Sequence, residues 1–215
     1  AKKRIPVHEQ YAEPRATQKL LEDAAINIEN WLADKISDIL IRTEAAAFVS
    51  GDGVIKPRGF LTYANGTTWG TIERVNMGAA AAITADGLRD VQFSLKEFFI
   101  NTGTWVMNRL TVAHILKLKN GLGDYIWKTG LTEKAPSTIY GLDVRMATTM
   151  PTVAANALAV ALADWKQAYL IVDRLGITTL RDPYTAKPHI KFYTRKRVGG
   201  DVVNYDAIKI GVVAA

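Results

Sequence analysis

The sequence predicts an α+β fold, and three observations carry that expectation. Residues 17–50 form one uninterrupted run at helical spacing, without glycine or proline. The middle of the chain mixes short helical and strand patterns. The last quarter is β-rich, and nowhere does a regular strand–helix–strand rhythm set in, which separates the chain from doubly wound folds. With 215 residues, 48% of them hydrophobic and 22% charged, the chain has ample material for one or two cores.

The long run, TQKLLEDAAINIENWLADKISDILIRTEAAAFVS, places Leu21, Ala24, Ala25, Ile28, Leu32, Ile36, Ile39, Leu40, Thr43, Ala46 and Ala47 at three-and-four spacing. As a single helix it would be roughly 50 Å long at 1.5 Å per residue. That is too long to lie on one compact core, so it reads as a strut carrying other elements. Pro14 breaks the chain ahead of it, Thr17 is the expected N-cap, and Gly51 the expected C-terminal stop. The run holds six acidic residues, Glu22, Asp23, Glu29, Asp34, Asp38 and Glu44, in a chain of net charge +6.

Before the strut, residues 4–12 read as an extended segment interrupted by Pro6. After it, Gly51-Asp52-Gly53-Val54-Ile55-Lys56-Pro57-Arg58-Gly59 is a tight, conformationally specified loop. Residues 66–77 are polar and turn-rich around Trp69. A second helix is predicted over 85–99, a strand over 104–107, a helix over 109–119, a loop over 120–124 and a strand over 139–146 with Tyr140, Leu142 and Val144 on one face. Strands follow near 158–163, 169–173 and 175–181, with a turn at 164–167. Residues 189–213 read as a long strand, a turn at Gly199-Gly200-Asp201 and a returning strand. In that reading Arg195, Lys196 and Arg197 stand at a hairpin tip.

Composition and motifs exclude several kinds of chemistry. There is no cysteine, hence no disulfide, thiolate nucleophile or cysteine-ligated metal. His8, His114 and His189 fall in no metal-ligand spacing. Ser37, Ser50, Ser94 and Ser137 lie in no nucleophile elbow. GDGVIKPRG follows a helix and lacks the order of a phosphate loop, so Asp52 reads as a turn aspartate. No cofactor and no metal are expected. The five tryptophans are scattered and read as core or interface anchors. The basic triplets Lys2-Lys3-Arg4 and Arg195-Lys196-Arg197 read first as solvated strand edges. No apolar run is long enough for a membrane span. A chain opening on Ala1-Lys2-Lys3-Arg4, with no apolar stretch behind it, is expected to begin at an internal cut and not at a signal peptide.

Four blocks, in order, resemble the tailed-phage major capsid proteins of the Hong Kong 97-type fold. The first is the helix terminus EAAAFVSGDGVIKPRGFL, with Ala45-Ala46-Ala47-Phe48, Gly51, Gly53, Pro57, Gly59 and Leu61 at family positions. The second is HILKLKNGLGDYIW and the third IYGLDVRMATTMP, with Asp143 where proline is common. The fourth is the closing stretch from ALADWKQAYLIVDR to DAIKIGVV. The resemblance implies a structural protein, not an enzyme, which self-assembles into an icosahedral shell around double-stranded DNA in a bacterial host's cytoplasm. It implies a peripheral domain of residues 1–60 and 170–205, including a spine helix over 17–50, and an axial domain of residues 61–169 and 206–215. The expected partners are copies of the chain in pentamers and hexamers. Portal, scaffold or decoration proteins are further candidates, with only weak, non-specific contact with packaged DNA and none with membrane. The family's N-terminal arm and extended loop would precede residue 1. Where some members crosslink through Asn and Glu, this chain carries Pro188 and Arg195, so no crosslink is expected. The structural turn is assigned to Gly51, Asp52, Gly53, Pro57 and Gly59. The candidate subunit interface is assigned to Arg195, Lys196, Arg197 and the helical acids Glu29, Asp34 and Asp38. An encapsulin-like compartment or a gene-transfer particle shell is the alternative within the fold. A small-ligand enzyme using Asp52, His114 or Asp124 is the distant alternative outside it.

Overall fold

The computed structural model describes residues 3–127 and 138–215; Lys2 and Ser137, named above, lie outside them. In chain order the elements are β1 (His8–Ala12), β2 (Arg15–Thr17), α1 (Gln18–Asp23), α2 (Ile28–Ser50), β3 (Arg74–Asn76), α3 (Ala85–Ser94) and α4 (Glu97–Ile100). There follow β4 (Thr104–Met107), α5 (Arg109–Leu116), β5 (Thr138–Ile139), β6 (Leu142–Met146), β7 (Val160–Ala163), α6 (Trp165–Ala168), β8 (Tyr169–Asp182), β9 (His189–Val202) and β10 (Ile208–Val212). A 3-10 turn spans Phe60–Thr62. The α+β expectation holds. None of the helices is long and apolar enough to cross a membrane, among the described residues.

The chain divides into two compact units, Ala1–Thr62 with Ile171–Asp201, and Tyr63–Leu170 with Val202–Ala215. In the first unit, β9 pairs antiparallel with β1 (Tyr11 opposite Arg195, Gln10 opposite Lys196) and with β2 (Ala16 opposite Ile190), and also pairs with β8. Ala16, Ile190 and Phe192 form a small core against which Leu21, Ile28 and Leu32 pack. Further along α2, Ile36, Leu40, Glu44 and Ala47 are buried at i, i+4, i+8 and i+11, the stripe of a helix seated on one face.

The second unit is built on a six-stranded mixed sheet in the order β3-β10-β7-β4-β6-β5. Its core includes Trp105, Met107, Val160, Leu162, Ile208 and Ile210, all fully buried. β7 is buried at every position, which is why it reads as a continuous apolar run. Trp105 donates through Nε1 to the Ile139 carbonyl at 3.1 Å, so this core tryptophan satisfies its polar edge.

Five local expectations are corrected. The predicted 17–50 helix is two helices. Thr17 does cap α1, accepting from Leu20 N–H at 3.3 Å, but the chain extends at Ala24, and Asn27 begins α2 by accepting from Asn30 N–H at 3.1 Å. The asparagine cap competes with helix continuation at a point with no glycine or proline to signal it. The 85–99 helix likewise breaks, at Leu95 and Lys96. The 139–146 strand is a two-strand hairpin, because Tyr140 (φ 50°) and Gly141 (φ 80°) form a turn with both central residues left-handed. Trp165–Ala168 is helical, with Asp164 capping α6, and 169–181 is one continuous strand.

The fifth correction concerns the closing hairpin. Gly199-Gly200-Asp201 lies within β9 and makes no turn; the Gly200 carbonyl accepts from Arg58 N–H at 3.0 Å. The partner of β9 is β8, not β10, and the hairpin tip is residues 183–188. There Asp182 accepts from the Tyr184 and Thr185 amides at 2.8 and 3.2 Å and from the Thr185 hydroxyl. Asp-Pro followed by Lys-Pro is stronger turn chemistry than Gly-Gly-Asp. β10 instead joins β7 and β3 in the other sheet.

A candidate subunit interface and what holds it

The turn after α2 is built by four sequence features acting together. Gly51 caps the helix through its N–H to the Ala47 carbonyl at 2.8 Å, and its own carbonyl accepts from Gly59 N–H at 2.9 Å. It does so with φ −66°, extended and not left-handed. What demands glycine there is space, since a Cβ would lie 2.0 Å from the Pro57 carbonyl oxygen. Gly53 is the left-handed residue, at φ 76°. Asp52 Oδ1 accepts from the backbone amides of Val54, Ile55 and Lys56 at 3.1, 3.3 and 3.4 Å. These bonds, that from Val54 foremost, hold the carboxyl below its ordinary range. The carboxylate is thereby committed to the turn. A depressed carboxylate pKa contributes order above its unfolded value, and that contribution is lost as pH falls through the folded one. Asp52→Ala is accordingly expected to speed amide exchange at Val54, Ile55 and Lys56, while Asp52→Asn, which keeps the acceptor oxygen, speeds it less. Equal exchange in the Asp52→Ala variant and the wild-type chain would exclude this role.

The residues assigned to the interface fall into two groups. Arg195 and Arg197 are exposed on β9, opposite Tyr11 and Glu9, and are mid-strand, not at a hairpin tip. Lys196 points to the other face, as alternation requires. Its ammonium lies 2.8 Å from Glu44 of α2 and 3.5 Å from Asp173 of β8. Burial disfavours the charged ammonium, yet the Glu44 hydrogen bond and charge, helped by Asp173, outweigh it, and the Lys196 pKa is raised. Lys196 therefore ties helix to sheet within the unit. Of the helical acids, Glu29 is 3.2 Å from Arg181 in a surface pair, and Asp34 and Asp38 are exposed. The sequence reading missed Glu44 and Asp173. Glu44 was detectable, because it continues the Ile36–Leu40 spacing and so occupies a core position on the helix.

The opposite face of α2 carries exposed Trp31, Asp34, Asp38 and Ile41, spaced by three, four and three residues and so forming one stripe. The residues considered for catalysis are divided between the two units. Asp52 belongs to the first unit, while His114 (in α5) and Asp124 (in the loop closed by Asn120) belong to the second. Among the described residues no group of three or more His, Asp or Glu side chains could hold a metal ion. Trp69 is exposed and packs edge-on against Tyr205 at 5.0 Å, whereas Trp105 is core.

The polar side chains described above serve the turn after α2 and the tie between helix and sheet. The family model described as "Phage capsid family" matches residues 1–213, and the chain belongs to that family. It is a structural protein of capsids, which associates with copies of itself. Among solved structures, the capsid of an empty GTA particle, computed with C5 symmetry, is 43% identical with a TM-score of 0.93, covering 98% of this chain and 74% of that one. The capsid of Myoviridae phage XM1 matches at 16% identity and TM-score 0.69, over 97% of this chain and 74% of that one. The holo-SrpI encapsulin of Synechococcus elongatus PCC 7942 matches at 11% and 0.71, over 98% and 74%. The last two likenesses establish the fold alone. A search of curated proteins finds no match.

Proposed function

We propose that the chain is the shell-forming subunit of a particle that encloses double-stranded DNA, assembling through pentamers and hexamers into an icosahedral capsid in a bacterial cytoplasm. The observation that carries this reading is the 43% identity, sustained over 98% of the chain, to a capsid subunit of a GTA particle with five-fold symmetry. On this reading Ala1–Thr62 with Ile171–Asp201 is the peripheral domain. Tyr63–Leu170 with Val202–Ala215 is the axial domain, meeting its copies at the symmetry axes. Portal, scaffold and decoration proteins are the further partners such a shell would meet.

The same observation favours a gene-transfer particle over an infectious phage, because the phage capsids match at 10–16% identity. Particles purified from cells expressing the native gene cluster test both levels. Shells with five-fold vertices in electron microscopy are the expected result, and soluble oligomers without closed shells would overturn the assignment. Sequencing of nuclease-protected DNA then separates the subclasses. Fragments drawn from across the host genome are expected; a single enriched replicon would indicate a phage, and a protein cargo without DNA an encapsulin-like compartment.

A further inference from the structure

The turn at the end of α2 is held by several contacts at once. Three amides converge on one carboxylate, Gly53 is left-handed, and glycines at both ends pack against backbone. What this scaffold displays is apolar: Val54 and Ile55 are each 78% exposed, with Lys56 exposed beside them. Aliphatic side chains held in water on a pre-organised turn lose little further freedom on docking. The outer stripe of α2 has the complementary character. Trp31 and Ile41, 49% and 59% exposed, bracket the exposed carboxylates of Asp34 and Asp38. Lys56 is the cation beside the apolar pair on the turn, and Asp34 and Asp38 are the anions between the apolar residues of the stripe, where Lys35 and Arg42 are also exposed.

The two cannot meet within one chain. The turn begins at Gly51, about 20 Å beyond Asp38 along the same helix at 1.5 Å per residue, and α2 runs unbroken between them. We infer that the Val54–Ile55–Lys56 knob of one copy docks on the Trp31–Asp34–Asp38–Ile41 stripe of a neighbouring copy. Because the two surfaces differ, the contact is head-to-tail and propagates around a ring instead of closing a two-fold dimer. The inference rests on the reading that copies of this chain assemble, and it names the surfaces they use. Charge complementarity sets the register, and the burial of Trp31, Ile41, Val54 and Ile55 supplies affinity.

These 215 residues contain no cysteine, so an introduced pair reports on their own contacts. Particles of the Ile55→Cys/Asp38→Cys variant, oxidised and run without reductant, are expected to give a ladder of dimers, trimers and higher species. Each single-cysteine variant is expected to give only monomer. Particles that form but yield monomer alone from the double variant would overturn the inference, as would dimers from Ile55→Cys alone. Independently, Lys56→Glu is expected to lower particle yield about tenfold, the change a single well-buried contact supports. Adding Asp34→Lys/Asp38→Lys is expected to restore it. Unchanged yield in Lys56→Glu, or no recovery on charge exchange in chains that melt like wild type, counts against the contact. Failure of the unmodified chain to form particles would instead count against the assembly reading itself.

Discussion

Alanine at Gly59 is expected to destabilise the chain by about 3 kcal/mol, the upper end of what overpacking costs in a well-packed interior. A Cβ at this position would lie 2.4 Å from Ser50 N and from the Val49 carbonyl group. Those atoms are backbone in the last turn of α2, and no side-chain rotation relieves the clash. Either the 3-10 turn at Phe60–Thr62 withdraws, unseating buried Phe60, or the helix end frays and Gly51 loses its bond to Gly59. Thermal and urea unfolding followed by circular dichroism measure the effect. Gly176→Ala is the control: nothing lies within 4 Å of its Cβ, so no loss is expected. Equal melting of the two variants would show that α2 and its turn accommodate a methyl group.

The second large effect lies at Lys196. Lys196→Ala leaves the carboxylate of Glu44 buried without its cation, and Glu44→Ala leaves the ammonium beside the half-exposed Asp173 only. Glu44 Oε1 already lacks a hydrogen-bond partner, so Lys196 is the compensation available to this carboxylate among the described residues. Breaking a buried pair from one side costs about 3–5 kcal/mol, whereas replacing both partners with apolar groups of similar size is close to neutral. Either alanine variant is therefore expected to unfold at markedly lower urea, and Glu44→Leu/Lys196→Met near the wild-type midpoint. Strict additivity of the two single losses in the double variant would refute the pairing. A raised lysine pKa contributes stability that is complete below its ordinary value near 10.5 and lost only as pH rises through the folded value. The wild-type advantage over Lys196→Met is thus expected to persist across neutral pH and decline only in strong alkali.

How much was legible depended on the range of the interaction. Local signals worked: β4 falls on residues 104–107 as the pattern 'apolar, alternating, buried' requires, Thr17 caps α1, and the turn at Gly51–Gly59 is held as its residue types imply. Side-chain competition with the backbone was harder to see. Asn27 starts a new helix, and only its cap geometry distinguishes it from any other polar residue of the 17–50 run. Strand partnership was not legible. Gly199-Gly200 looks like a turn until Arg58 and β1 are known to bond along the same strand. The basic triplet illustrates the limit for the site: alternation sends Arg195 and Arg197 to solvent and Lys196 inward, but nothing near it in sequence discloses that Glu44 waits on the other side. The resemblance of the four blocks supplied the family, while the helix–sheet tie came from the coordinates alone.

The pairing of β1 with β9 sets a timetable. His8 lies opposite Val198, so the sheet that carries α2 closes only after residue 198 has been made. Pairings so distant in sequence form late and slowly. A ribosome still translating the middle of the message exposes Ile36, Leu40 and Ala47 with no strand to cover them, and their helix has no fixed seat.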